Sequence, residues 1–126
     1  MAGGPAPGFL RHPDRVLDYR PEPGRVVVTF NGEVIADSDG AIALREADYP
    51  VVHYLPAADV RAGLLVRSQH STYCPFKGTA SYWSIRVGDQ VSQDAAWSYE
   101  TPYDEAGVID GLIAFYPSRV DRIEVV

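Results

Sequence analysis

The chain has 126 residues, a length that fits one domain with one core rather than two. Hydrophobic residues make up 46% and the formal charge is −6, which excludes a disordered acidic tail and disfavours a general binder of polyanions. The single cysteine, Cys74, excludes an internal disulfide and a cysteine-rich zinc site. The apolar run Leu112 to Tyr116 is too short to span a bilayer and the N-terminus lacks the apolar segment of an export signal, so a cytoplasmic protein without membrane contact is expected.

Residues 1–24 hold five of the ten prolines, four of the eleven glycines and three charges of each sign. Residues 1–11 read as a flexible leader and 12–126 as a single β-rich domain, with Arg15 to Tyr19 alternating enough to close onto the body as a short edge strand. Val26 to Phe30, Asn31-Gly32 and Glu33 to Ala36 make a hairpin signal, because Asn-Gly supplies the two positive φ values of a type I′ turn. Tyr82 to Val87, Gly88-Asp89 and Gln90 to Gln93 repeat that layout 57 residues on, setting Val34 on Val91 and Asp37 on Asp94. Tyr54-Leu55-Pro56 and Phe115-Tyr116-Pro117 echo each other as strand ends stopped by proline, which suggests an internal two-fold duplication. Pro56 to Ala62 and Pro102 to Asp110 are the candidate short helical turns. Further strands are expected near 70–74, 80–87, 90–97 and 112–116, and the fold class is all-β or β-dominated: a single compact antiparallel β body.

Charge is segregated along the chain. Residues 25–59 carry −4 and residues 89–126 carry −6, whereas Val60 to Gly88 contains no acid and Arg61, Arg67, Lys77 and Arg86 give it +4. That window is either a solvated face or an anion-accepting pocket. Inside it, His70 to Trp83 joins an imidazole, a thiol, an amine and four aromatic rings in fourteen residues.

This stretch, with Thr29 to Ser38, Cys74-Pro75-Phe76-Lys77-Gly78, Ala95 to Tyr99 and Ala114 to Tyr116, resembles the domain-of-unknown-function family 427 over about residues 12–124. The resemblance implies a small tent-like β fold, shared in outline with methionine sulfoxide reductase B. This chain lacks the paired cysteines that hold zinc in such relatives, so the comparison is one of shape. The family is sometimes labelled nucleotidyltransferase-like. That chemistry needs closely spaced carboxylates for two metal ions, commonly after Gly-Ser; no Gly-Ser is present, and Asp37-Ser38-Asp39 reads as a solvated turn.

Cys74 is a candidate nucleophile or a small buried hydrophobe; Lys77 and His70 could activate it if the chain folds them close. Lys77 has no acid nearby in sequence, so it reaches solvent, anchors a phosphate or carboxylate, or acts as a base or Schiff-base amine if walled in by aromatic rings. Asp94 and Glu46 are general bases or turn acids. Tyr54, Tyr73, Phe76, Tyr82, Trp83, Trp97 and Tyr99 are core residues or the lining of an aromatic pocket, with Arg86 a further contact for an anion. His53, His70 and Cys74 have ligand types for zinc, but the spacing specifies no site, and neither metal nor cofactor is assigned. The expected partner is a small anionic or aromatic metabolite rather than nucleic acid, with pairing of exposed strand edges leaving a homodimer open. The sequence therefore favours a domain that binds such a ligand and acts on it with Cys74, His70, Lys77 or Asp94; the alternative is a non-catalytic ligand-binding or scaffold domain with a buried Cys74.

Overall fold

The computed structural model describes residues 3–126. The first two residues of the expected leader lie outside the described residues. A four-residue helix, α1 (Gly8–Arg11), precedes ten strands: β1 (Leu17–Pro21), β2 (Val26–Phe30), β3 (Glu33–Ser38), β4 (Ile42–Glu46), β5 (Val52–Tyr54), β6 (Leu65–Cys74), β7 (Gly78–Val87), β8 (Gln90–Tyr99), β9 (Ala114–Phe115) and β10 (Arg122–Val125). They form three antiparallel sheets with orders β1-β4-β5, β10-β2-β3 and β6-β7-β8-β9. The β-dominated antiparallel fold read from the sequence is therefore the one observed.

Both hairpins form as their turn chemistry dictates. Asn31 and Gly32 adopt φ values of 49° and 77°, the type I′ pattern, while at the second turn Gly88 carries φ 58°, matching a type II′ turn with glycine first. β1 is an edge strand on β4; a one-turn 3-10 helix occupies Ala57–Asp59 and two short 3-10 turns, kinked at Ala106, occupy Asp104–Ile109, in the two proline-led connectors. The likeness of the halves stops at the hairpins: β10 flanks the first, whereas β6 and β9 flank the second. β4, β10 and the first half of β6 form strands that the sequence does not announce.

The buried apolar side chains form two clusters that meet at β7 and β8. Val26, Val28, Ile35, Leu55, Ile85, Ala95 and Phe115 build one. Leu44, Tyr54, Tyr82, Trp97, Tyr99 and Ile109 build the other. β7 and β8 serve both because a bulge between Trp83 and Ile85 divides them, and Asp94, opposite it, takes a positive φ of 49°. Beyond that bulge Tyr82 on β7 pairs with Trp97 on β8, and their rings belong to the aromatic cluster.

Candidate functional site

β6 ends at Cys74 and β7 begins at Gly78, so Pro75, Phe76 and Lys77 must reverse the chain. Proline presets the φ of the first turn position, the Lys77 amide donates to the Cys74 carbonyl at 3.3 Å, and Gly78 relaxes the exit with a φ of 119°. The turn sets Lys77 Nζ 3.7 Å from Cys74 Sγ. Phe76 points the other way, under the N-terminal segment: the Phe9 ring meets it edge-on at 5.0 Å and the Arg15 guanidinium lies 4.8 Å from its centre. The Gly8 amide donates to the Pro75 carbonyl at 2.9 Å, and Gly3, Gly4 and Ala6 bond to Pro102, Asp104 and Glu105.

This arrangement buries the amine of the chain's sole lysine, leaving Lys77 only 8% exposed. A buried ammonium needs a counter-charge. Glu46, the last residue of β4, supplies it with Oε1 at 3.1 Å from Nζ, while its Oε2 accepts from Arg15 at 2.9 Å. Two basic side chains thus share one carboxylate.

Lys77 and Glu46 line a pocket of about 350 Å³ whose wall is completed by Leu44, Tyr49, Val52, Tyr54, Thr72, Tyr82, Trp97, Tyr99 and Tyr116. Tyr82 and Tyr116 share a hydrogen bond at 3.0 Å, and Thr72 joins the Tyr82 hydroxyl at 3.0 Å. Trp97 packs on Tyr116 with ring centres 4.3 Å apart and meets Tyr54 edge-on at 6.2 Å. Burial pushes the phenols of Tyr54, Tyr99 and Tyr116 well above the ordinary tyrosine range, so they face the pocket as neutral hydrogen-bonding groups. The Tyr19 phenol, raised by burial in the same way, has no hydrogen-bond partner among the described residues.

Of the residues singled out from sequence, Lys77, Tyr54, Tyr82, Trp97 and Tyr99 line this pocket, with Cys74 beside Lys77. His70 and Asp94 do not join them. They line a separate polar cavity of about 320 Å³ with Ser118 and Arg119, on which Tyr82 and Tyr116 also border. β6 runs extended from His70 to Cys74, about 13 Å at ~3.3 Å per residue, so the two form no direct Cys–His pair. One Asp94 carboxylate oxygen is buried without a partner.

Phe76 is covered by the N-terminal segment, Tyr73 is 58% exposed with its hydroxyl on Tyr103 at 2.7 Å, and Trp83 packs on the aliphatic cluster with Arg67 over its ring at 5.2 Å. Arg86 lines a shallow cavity with Val66, Val91 and Gln93. Arg61 and Arg67 pair with Glu33 and Glu100, so of the cations in the acid-free window Lys77 alone lines the pocket. His53 is hydrogen-bonded to Glu22 at 2.7 Å, away from Cys74 and His70.

Arg15, Leu44, Thr72 and Val52 were not legible as site residues, and Tyr116 only as a generic aromatic. Their one sequence signal is alternation: Leu44 and Glu46 lie two apart on β4, as do Val52 and Tyr54 on β5.

A β domain with an aromatic pocket walled in part by a buried lysine and the glutamate it shares with an arginine is thus the class that fold and site define. The chain belongs to the family described as domain of unknown function DUF427, whose model matches residues 18–126. No curated protein matches it.

Proposed function

We propose that the domain binds a small organic anion, with its acidic group on Lys77 and its planar or apolar part between the rings of Tyr54, Tyr82, Trp97 and Tyr116. The observation that carries this reading is the buried ammonium of Lys77 in the wall of an aromatic pocket, whose counter-charge Glu46 is shared with Arg15 outside that pocket and is therefore only partly committed to the lysine. Benzoate is the simplest probe. It should raise the melting temperature, by the equivalent of about 2.7 kcal/mol at a hundredfold excess over Kd, and Lys77→Met should abolish the rise. An equal rise in the variant would sink the anion clamp.

Chemistry on the ligand is favoured by one contact, the 3.7 Å between Lys77 Nζ and Cys74 Sγ, which sets a thiol beside the anchored acid. Iodoacetamide should modify Cys74 in the native protein, and benzoate should slow it. A thiol that reacts only after unfolding would leave the pocket a binding site alone.

A further inference from the structure

The Lys77 pocket borders a neighbouring cavity along a wall that includes Glu46. This second cavity, a trough of about 920 Å³, shares Glu46, Tyr49, Val52, Trp97 and Tyr116 with it. Beyond those shared residues the lining turns apolar, with Pro50, Val51, Phe115, Pro117, Ile123 and Val125, and charged groups such as Arg122 and Asp121 complete it. The trough lies where edges of all three sheets converge: β5 pairs only with β4, β9 only with β8 and β10 only with β2 among the strands described. Tyr49 and Val125 stand 65% and 50% exposed, an apolar surface this fold leaves open to water.

We propose that the ligand is an amphipathic carboxylate, a fatty-acid-like molecule whose head is held at Lys77 and whose aliphatic chain lies along this trough. The inference rests on the anion-binding reading above and names its substrate class. Continuity carries it: five residues belong to both cavities, so one molecule touching Trp97 and Tyr116 reaches the ammonium on one side and the aliphatic side chains on the other. Charge orients it, since Lys77 lines the inner pocket and not the trough, whose wall beyond the shared residues is chiefly apolar. A purely aromatic acid would fill the inner pocket and leave the trough wet. An apolar peptide or a second copy of the chain would cover the trough but place no carboxylate on Lys77.

The test is a chain-length series on the native protein: acetate, butanoate, octanoate and dodecanoate below its micelle concentration, with benzoate and dodecanol as controls, measured by titration calorimetry. Full burial of a methylene strengthens binding about fourfold, so a trough open along one side predicts about twofold per methylene from butanoate upward. Val125→Glu, at a half-exposed position, should flatten that series while leaving benzoate unaffected, and Lys77→Met should weaken dodecanoate without altering dodecanol. If benzoate binds and dodecanoate binds no tighter than butanoate, the trough proposal fails and the anion pocket stands. If dodecanoate and dodecanol bind equally, whether or not Lys77 is present, the head-group assignment fails. Self-association abolished by Val125→Glu, with no dodecanoate binding, would assign the trough to a second copy and overturn the proposal.

Discussion

Removing either member of the Lys77–Glu46 pair leaves a different residue of charge behind. Without Lys77, Glu46 still holds Arg15 at 2.9 Å; without Glu46, the Lys77 ammonium stays buried with its counter-charge gone. Breaking a buried pair so that one charge is orphaned costs about 3–5 kcal/mol, so Glu46→Gln should approach the lower figure and Lys77→Met should cost no more than about half of it. Urea unfolding of the two variants decides; equal losses, or a greater loss for Lys77→Met, would show that Arg15 does not hold the carboxylate. A surface pair gives a smaller effect that depends on pH. Arg67, bonded to both Glu100 oxygens at 2.7 and 3.1 Å, holds that carboxyl below its ordinary range, with Ser81 adding a further bond. A lowered folded-state pKa contributes stability that is complete above the unfolded value and lost as pH falls through the folded one. Glu100→Gln should therefore cost under about 1 kcal/mol at pH near 7 and nothing at pH near 2, read from urea midpoints at the two pH values.

The N-terminal segment and the Cys74–Gly78 turn depend on each other. A Cβ at Gly8 would stand 2.8 Å from Phe76 ring carbons and 2.9 Å from the Pro75 carbonyl oxygen, so Gly8→Ala must lift α1 off the turn. Faster amide exchange across residues 3–12, with the β7–β8 ladder unchanged, is the expected result; unaltered exchange would mean that the segment accommodates the methyl in place. The hairpins were legible because Asn31-Gly32 and Gly88 encode their turns locally. β4 and β10 were not, since they owe their strand state to partners far along the chain, Glu46 lying opposite Leu17 and Glu124 opposite Val27. The turn motif itself was readable, and it does bring the thiol and the amine together. His70 was not separable from them by sequence, because its distance from Cys74 depends on β6 staying extended through both.

Over the full fold, the charge segregation along the chain marks which segments pair across sheets rather than a single anion surface. Arg61 and Arg67 of the acid-free window are answered by Glu33 and Glu100 from the acidic flanks, and Lys77 by Glu46. What sets Lys77 apart is invisible without the fold: its carboxylate is also engaged by Arg15, and aromatic side chains from β5, β7 and β8 and the residue after β9 line the same pocket. No helix is long and apolar enough to cross a membrane, among the described residues. Since Lys77 is the chain's sole lysine, protein grown with isotope-labelled lysine gives one side-chain signal, and titrating benzoate while watching it reads the anchor directly. The signal should move and saturate with the same Kd as the thermal stabilisation; benzoate that binds while the lysine signal stays still would rule out Lys77 as the anchor.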